Sequence, residues 1–316
     1  MAFQWAVLVV TALGVVLSRL SPSVPEVREK FELAQKYYAA KDYDTGVQLF
    51  RELAETPNNA VLNVDTIRVS IDELRLPLRL AATYQVGNSD RNMGLELLER
   101  SRSALSEGDS AIAGQRKEEA FRALKDSRRH FARLVREERA PLNVRVMSQY
   151  QIIRADYAME AYRAVIVDVH LLLDRFPGSK YEDTALYDMA WSHYNLGEYP
   201  EAIESFQRVL EVSRDVVRRD RALFQIAECS VLLGDQDPAV EWYQRLVDKY
   251  DFTKLSEKEL EEMKALKIRG VVKETTRELV AKAQIRIGDV LAGQGKVEEA
   301  IEAYSSVPQR YSQEQL

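Results

Sequence analysis

The chain of 316 residues has few of the side chains on which metal sites and disulfides depend. It contains one cysteine, Cys229, which excludes an intrachain disulfide and any metal site built from several cysteines. Its histidines are His130, His170 and His193, and they lie too far apart in the sequence to show metal-ligand spacing. We therefore expect no metal site, and we interpret Cys229, His170 and His193 as packing residues of helices.

The motifs of cofactor and nucleotide chemistry are missing as well. No Gly-x-Gly-x-x-Gly, phosphate-binding loop or nucleophile elbow occurs in the chain. The formal charge of −6 argues against a nucleic-acid partner, whose phosphates would require a basic face. We therefore expect a protein that is not an enzyme, has no cofactor and binds no nucleic acid.

Glycine and proline are scarce, and the 13 glycines and 9 prolines fall mostly between predicted helices. With 30% charged and 46% hydrophobic residues, the composition is typical of an all-helical soluble body. The clearest pair of helices runs from Gly178 to Leu210. Ser179 and Glu182 predict a capping box at its start, and Asn195-Leu196-Gly197 predicts the turn in its middle.

The same order of small, large and turn residues recurs along the chain. Its four clear copies contain Ala34, Tyr43, Gly46 and Phe50; Ala190, Gly197, Tyr199, Ala202 and Phe206; Ala227, Gly234, Ala239 and Tyr243; and Gly288, Gly295, Ala300 and Tyr304. Weaker copies run from Leu78 to Ser101 and from Gln149 to Pro177. The pattern resembles the tetratricopeptide repeat (TPR), a helix-turn-helix unit of about 34 residues. The resemblance implies an all-α fold, a TPR α-solenoid forming one superhelix behind an N-terminal apolar helix.

The spacing between repeats adds a finer resemblance. Ala202 and Ala239 are 37 residues apart, and Phe176-Pro177-Gly178-Ser179 precedes the clearest pair of helices. Both features are similar to TPR proteins of bacterial cell envelopes, of the Tol-associated cell-division coordinator and barrel-assembly lipoprotein types. No cysteine follows the N-terminal apolar run, which departs from the lipoprotein pattern.

Residues 1–20 are predicted to be a membrane anchor or a signal segment. The stretch Ala2 to Leu17 contains no charge and would reach roughly 24 Å as a helix, so it spans a bilayer only if it extends to Leu20. An anchor with the body on the periplasmic side is our first expectation. The alternatives are secretion into the periplasm after cleavage and a buried N-terminal helix.

The rest of the chain is predicted to form three parts. Residues 21–27 are a spacer with two prolines, residues 28–140 are N-terminal helical repeats with a charged helix, and residues 141–316 are a TPR solenoid. We expect an irregular helical insertion from Val61 to Leu74, and a second insertion at about residues 251–277.

The charged helix, from Gln115 to Ala140, allows two interpretations. Its many basic residues would suit an anionic partner such as lipid headgroups. Acidic residues are interleaved with them, which favours a solvated face stabilised by pairs one turn apart and anchored by Phe121, Leu124, Phe131 and Val135.

In TPR proteins the first helix of each repeat lines a concave surface that receives a peptide, and the resemblance carries this role to matching positions here. These partner-binding groove residues are Tyr150, Arg154, Tyr157, Tyr187, Trp191, Tyr194, Phe224 and Glu228. Large aromatic side chains provide interface area at low entropic cost. The lysine and asparagine of the family's carboxylate clamp are missing at the matching positions. The alternative is that the aromatic residues fill the seams between repeats.

Three functional hypotheses follow. The first is an interaction scaffold of the bacterial cell envelope that binds protein segments in the groove and contacts the membrane through residues 2–20. The second is the superhelical part of a larger envelope enzyme, similar to soluble lytic transglycosylases. The third is self-assembly as a homo-oligomer through the apolar face of the last repeat, which contains Tyr304, Val307 and Tyr311.

Overall fold

The computed structural model describes residues 22–71, 74–250, 258, 261 and 274–311. It divides into two compact units, unit 1 at residues 1–161 and unit 2 at residues 162–316, and each is considered by itself. The N-terminal segment 1–20 and most of the predicted insertion at 251–277 lie outside the described residues. Among the helices of the described part, none combines the length and the apolar character needed to cross a membrane.

Unit 1 contains five helices in its described residues and one β-hairpin. They are α1 (Val24–Ala39), α2 (Tyr43–Glu55), β1 (Arg68–Ile71), β2 (Leu74–Pro77), α3 (Leu78–Ser106), α4 (Ser110–Arg136) and α5 (Leu142–Ala158). Helix α1 begins with a capping box formed by Ser23 and Glu26, and Asp42 caps α2 through the Thr45 amide at 3.1 Å. The two helices are in close contact at Gly46, where an added Cβ would lie 3.4 Å from the Ala34 carbonyl oxygen.

The predicted helical insertion from Val61 to Leu74 is wrong, because none of its described residues is helical: a loop leads into an antiparallel hairpin. Strand β1 pairs with β2 from Arg68 opposite Pro77 to Ile71 opposite Leu74. The burial of Val69, Ile71 and Leu76 follows the alternation of a strand with one face on the core. Arg79 attaches the preceding loop to the end of α2, since it bonds Asp65 at 2.8 Å and the Ala54 carbonyl at 2.6 Å.

The weak repeat predicted from Leu78 to Ser101 is also wrong, because this stretch is one uninterrupted helix. Helices α3 and α4 have 29 and 27 residues, about twice the length of a helix in a TPR. Every residue from Tyr84 to Asp90 is buried, so α3 lacks the one-sided pattern of a surface helix. Gly94 allows α4 to lie against α3, since an added Cβ would be 2.7 Å from Leu124 Cγ.

Unit 2 contains a series of shorter helices in its described residues. They are α6 (Tyr162–Arg175), α7 (Glu182–Asn195), α8 (Tyr199–Val212), α9 (Val216–Leu233), α10 (Gln236–Asp248), α11 (Glu274–Gly293) and α12 (Val297–Tyr311). The predicted turn glycines Gly197, Gly234 and Gly295 all have positive φ, the conformation that glycine adopts most easily. Predicted small residues such as Ala190 and Ala202 are fully buried. The all-α prediction is therefore confirmed.

The start of α7 differs from the prediction. The helix begins at Glu182, its N-cap residue Tyr181 makes no side-chain cap, and the Ser179 hydroxyl is buried without a hydrogen-bond partner. The Glu182 carboxylate instead accepts a hydrogen bond from the Gly178 amide at 3.0 Å. The tight turn after Phe176 therefore takes the place of a capping box.

Candidate protein-interaction surface

Three of the predicted groove residues form one aromatic cluster in unit 2. Tyr187, Trp191 and Tyr194 follow one another along α7, with ring centroids 6.2 Å and 5.3 Å apart in edge-to-face geometry. Phe206 of α8 lies under the first two rings at 5.8 Å from each, and Tyr199 contacts Tyr194 at 5.7 Å. Edge-to-face contacts of this kind add to the stability gained from burial alone. We call these five residues the α7 aromatic cluster.

The α7 aromatic cluster is packed on one side and partly exposed on the other. Phe206 is fully buried, whereas the other four rings are half-buried. The Arg218 guanidinium lies 6.0 Å from the Tyr187 ring centroid and pairs with Asp183, which holds this edge of the cluster in place. The rings thus pack against each other, as the seam interpretation expects, and keep part of their faces exposed.

The other two predicted groove residues of unit 2 lie on α9. Phe224 is half-buried and packs on Tyr243 with centroids 5.4 Å apart. The Glu228 carboxylate accepts hydrogen bonds from Arg286 at 2.8 and 2.7 Å and from the Tyr243 hydroxyl. Burial alone would raise the pKa of Glu228, but these hydrogen bonds outweigh burial and lower it. The carboxylate is therefore engaged within unit 2, and it fixes α9 against α10 and α11.

The remaining predicted groove residues, Tyr150, Arg154 and Tyr157, belong to unit 1. They lie on α5, where both tyrosines are half-buried and Arg154 is exposed. The predicted groove is thus distributed over the two units.

A polar network at the centre of unit 1 was missed by the sequence reasoning. Arg91 of α3 donates hydrogen bonds to the Gln151 side chain of α5 and to Asn92 Oδ1 at 3.1 Å, and the Asn92 amide donates to the Tyr38 hydroxyl at 2.9 Å. Burial lowers the pKa of Arg91. No periodicity signals this network, because α3 is surrounded by other elements and its polar residues point inward.

A charged cavity lies elsewhere in unit 1, between the start of α2 and helices α3 and α4. It has a volume of about 550 Å³, and Arg51, Asp90 and Asp126 are among its lining residues. Asp90 is 0% exposed; its Oδ1 accepts from Arg51 at 2.8 Å, and its Oδ2 lies 3.7 Å from His130 Nε2 without a hydrogen-bond partner. Burial raises the pKa of Asp90 to about 6 against the effect of Arg51, and burial also lowers the pKa of His130 to about 4.

The charged helix α4 forms ion pairs between its basic residues and nearby acidic residues, as its interleaved sequence predicts. Arg129 bonds Asp126 of the same helix at 2.6 Å, and Arg128 binds both oxygens of Asp156 on α5 at 3.0 and 2.9 Å. The predicted anchors Leu124, Phe131 and Val135 are buried, and Phe121 is half-buried. These contacts support the interpretation as a paired, solvated face.

The isolated cysteine and histidines fall into different environments. Cys229 is fully buried, and burial raises the pKa of its thiol to about 12, which agrees with its interpretation as a structural thiol. His193 is half-buried and contacts Glu198 Oε2 at 2.8 Å. His170 is exposed, so its interpretation as a packing residue is wrong. Within the described residues, no cluster of side chains could hold a metal ion.

Comparison with known proteins confirms the repeat in unit 2. Two family models, each described as tetratricopeptide repeat, match residues 187–252 and 282–313. The chain therefore carries TPR units in these segments, and the first of them includes the α7 aromatic cluster. No curated protein sequence matches the chain.

Several solved structures share the helical architecture at low identity. "MamA RS-1 ArsTM double mutant" is 15% identical, with 69% of this chain and 94% of that chain covered and a TM-score of 0.39. A Rap protein complexed with Competence and Sporulation Factor is 12% identical, with coverage of 92% and 79% and a TM-score of 0.38. The Rap conjugation gene regulator of plasmid pLS20 in complex with the Phr* peptide is 12% identical, with coverage of 92% and 75% and a TM-score of 0.41. These likenesses carry no argument about function.

Proposed function

We propose that this protein is a non-enzymatic scaffold that binds segments of partner proteins. The observation that carries the proposal is the α7 aromatic cluster, because half-buried aromatic rings held rigidly on a TPR unit are suited to anchor an apolar side chain of a partner. Trp and Tyr are also the residue types most often found among the dominant contacts of protein interfaces.

The test is a crosslinking pulldown of the full-length protein from its native cells, with the double variant Tyr187→Ala/Trp191→Ala beside it. We expect a partner that is captured by the wild type and lost in the variant. Trp242→Ala is the matched control, because Trp242 is a half-buried tryptophan of the same unit on α10, where its ring stacks with Arg245 at 4.2 Å. Equal capture by all three proteins, with matching thermal melts, would contradict the proposed surface.

We further propose that the scaffold works in a bacterial cell envelope, attached through residues 2–20 with its body on the periplasmic side. The uncharged stretch Ala2 to Leu17 and the spacing of the repeats support this proposal. Membrane fractionation and N-terminal sequencing of the mature protein test it. Recovery of the body in the soluble cytoplasmic fraction with its N-terminus intact would contradict it, and a cleaved N-terminus in the periplasm would favour the secreted alternative.

Self-assembly is a second candidate because α12 exposes apolar side chains. Val297 and Ile301 are 60% and 59% exposed and lie one turn apart, with Tyr304 38% exposed beside them. Such a face would be covered in a dimer. Sedimentation of the wild type and of Ile301→Glu tests this candidate: the mass should rise with concentration only in the wild type, and a constant monomer mass would contradict it.

A further inference from the structure

The charged cavity of unit 1 is lined by a buried carboxylate that is only half satisfied. Asp90 is one of the lining residues and is 0% exposed. Its Oδ1 accepts a hydrogen bond from Arg51 at 2.8 Å, whereas its Oδ2 has no hydrogen-bond partner and lies 3.7 Å from His130 Nε2. A buried acceptor without a donor costs free energy, so a donor that entered the cavity would stabilise this carboxylate.

A second carboxylate lies at the same end of the cavity. Asp126 of α4 is also a lining residue, and it stands one helical turn before His130, whose ring faces Asp90. The Asp126 Oδ1 accepts from Arg129 at 2.6 Å, and among the described residues its Oδ2 has no partner. The torsion that turns an aspartate carboxylate is soft, so both acids can direct an oxygen toward a donor in the cavity. Two carboxylates favour an ammonium group, which donates three hydrogen bonds.

The cavity also offers an apolar strip. Met93 and Leu97 lie one turn apart on α3, and both are half-buried lining residues, as is Tyr43 at the start of α2. Covering such side chains with the alkyl carbons of a ligand removes apolar surface from water and is favourable. The cavity volume of about 550 Å³ is within the range of small-molecule sites.

Two basic side chains of the lining have no partner of their own. Lys41 and Arg122 are exposed, and neither forms an ion pair or a hydrogen bond within the described residues. The other two lining arginines, Arg51 and Arg100, each pair with a carboxylate. Arg122 lies one turn from Asp126 on α4, so an anion bound to it would be roughly 5.4 Å along the helix from the acidic end.

The backbone of Lys41 indicates a role for its side chain. Its φ of 63° is in the left-handed region, where a residue with a Cβ is strained. The other non-glycine residue with such a φ is Glu160, which pairs with Lys117 at 3.8 Å. Lys41 thus occupies a position that favours glycine, and it places an unpaired charge on the cavity wall.

We propose that this cavity binds a short chain with an ammonium group at one end and a carboxylate at the other, as in an ω-amino acid or a C-terminal lysine. Asp90 and Asp126 pair with the ammonium. The alkyl carbons cover Met93 and Leu97, and the two unpaired bases hold the carboxylate. The proposal goes beyond the proposed function, because it concerns unit 1 and does not require the α7 aromatic cluster.

The probe is ε-aminocaproate, with pentylamine and hexanoate as controls that each keep only one of its charged groups. Isothermal titration calorimetry of the full chain measures the three affinities. We expect ε-aminocaproate to bind most tightly, pentylamine more weakly and hexanoate most weakly. No binding of ε-aminocaproate, or binding of hexanoate as tight as that of ε-aminocaproate, would overturn the proposal.

The carboxylate end is tested by Arg122→Gln. This variant should weaken ε-aminocaproate at least about threefold, because it removes an exposed ion pair, and it should not weaken pentylamine. Lys125→Gln is the matched control, since Lys125 is an exposed base of the same helix outside the cavity lining. Equal weakening of ε-aminocaproate by both variants would refute the assignment.

The ammonium end is tested by Asp90→Asn. Both ligands that carry an ammonium should lose at least about tenfold in affinity, because a buried charge pair is lost, and hexanoate should not weaken. Asp126→Asn is the second variant, since Asp126 is half-buried and its change keeps the test valid if Asp90→Asn impairs folding. Unchanged pentylamine binding in the folded variants would overturn the ammonium assignment.

Lys41→Gly separates a structural role of Lys41 from a binding role. Glycine relieves the left-handed backbone, so the thermal melt should rise, whereas the affinity for ε-aminocaproate should fall. Unchanged affinity in both Lys41→Gly and Arg122→Gln would overturn the carboxylate end.

A peptide distinguishes the two sources of the same chemistry. Acetyl-Ala-Ala-Lys with a free C-terminus carries both charged groups on its last residue. Tighter binding of this peptide than of ε-aminocaproate supports the site as one for a partner's C-terminus, and weaker binding supports it as one for a free ω-amino acid. Equal binding of the peptide and of its C-terminal amide would contradict the carboxylate end.

Discussion

Units 1 and 2 are both built from packed helices, but the helices differ in length and in the kinds of residue that they bury. In unit 2 short helices of 14 residues, such as α7 and α8, cross at small buried residues and leave one face of aromatic rings half-exposed. In unit 1 helix α3 has 29 residues and is surrounded, so polar groups such as Gln85, Asn88 and Asp90 are buried. Repeated short helices therefore leave an exposed aromatic face. A long, surrounded helix instead buries polar and charged side chains, which then need hydrogen-bond or ionic partners.

The largest expected loss of folding stability comes from a buried phenylalanine in each unit. Phe131 of unit 1 and Phe206 of unit 2 are both 0% exposed, and each supports a neighbouring tyrosine ring at 5.6 to 5.8 Å. Replacing either by alanine should lower the free energy of unfolding by about 3–5 kcal/mol, because the cavity cannot close fully. Urea denaturation measures the loss. Leu105→Ala is the control, since Leu105 is 62% exposed, and a loss as large there would contradict the assignment of the cores.

The buried charge of unit 1 predicts a pH dependence. Folding raises the pKa of Asp90 to about 6, so the folded chain binds the proton more tightly and stability falls as pH rises from about 4 to about 6. His130, whose pKa is lowered to about 4, acts in the opposite direction, because the unfolded chain takes up its proton first as pH falls below about 6.5. The two slopes therefore oppose each other in the wild type.

Single variants separate these two slopes. Asp90→Asn should remove the falling slope, so that its stability relative to the wild type changes by up to about 3 kcal/mol between pH 4 and pH 7. His130→Gln should remove the rising slope instead. Urea denaturation at steps of pH measures both changes, with Asp44→Asn, an exposed carboxylate on the cavity wall, as the control. Parallel pH profiles for Asp90→Asn and the wild type would contradict the buried-charge account.

Replacing glycines at helix crossings by alanine should destabilise the tightly packed interior of unit 1 more than the open edge of unit 2. Gly94→Ala should cost about 2 kcal/mol, because its Cβ would meet Leu124 Cγ at 2.7 Å and the Ala120 carbonyl at 3.1 Å. In Gly288→Ala the added Cβ meets the Tyr304 ring, which is 38% exposed and can move outward by giving up only an exposed hydrogen bond to Asp289, so the cost should be smaller.

The control for these variants is Gly114→Ala on α4, where nothing lies within 4 Å of the added Cβ. This change should stabilise the helix by about 1 kcal/mol, since alanine favours the helical backbone. Thermal melts of the three variants give the order of their stabilities. A Gly288→Ala variant less stable than Gly94→Ala would show that α12 is packed as rigidly as α4.

The smallest expected losses of stability come from the helix caps, one in each unit. Asp109 caps α4 through the Ile112 amide at 3.0 Å, and Asp215 caps α9 through the Val217 amide at 3.0 Å and the Arg218 amide at 3.2 Å. Alanine at either position should cost about 1 kcal/mol. Urea denaturation measures both losses, and an unchanged free energy of unfolding at either position would contradict its role as a cap.

The sequence alone predicted much of unit 2 and little of the middle of unit 1. The turns at Gly197, Gly234 and Gly295 and the crossings at Ala190 and Ala202 were predicted because each depends on one residue and its near neighbours. The hairpin at 68–77 was missed because the pairing of its short strands is not visible as helical or turn periodicity. Whether the predicted groove residues bind a partner stays a prediction, although the structure shows which of their rings touch.

The division between sequence and tertiary structure has a physical cause. Helix formation, turns and small crossing residues are local properties, so the repeat pattern and the aromatic positions of α7 are determined by the sequence itself. The partners of charged groups are decided only by tertiary packing, because they come from distant parts of the chain. Asp90 meets Arg51, Glu228 meets Arg286, and Arg91 meets no carboxylate among the described residues. No spacing in the sequence distinguishes Arg91 from Arg51 or Arg286.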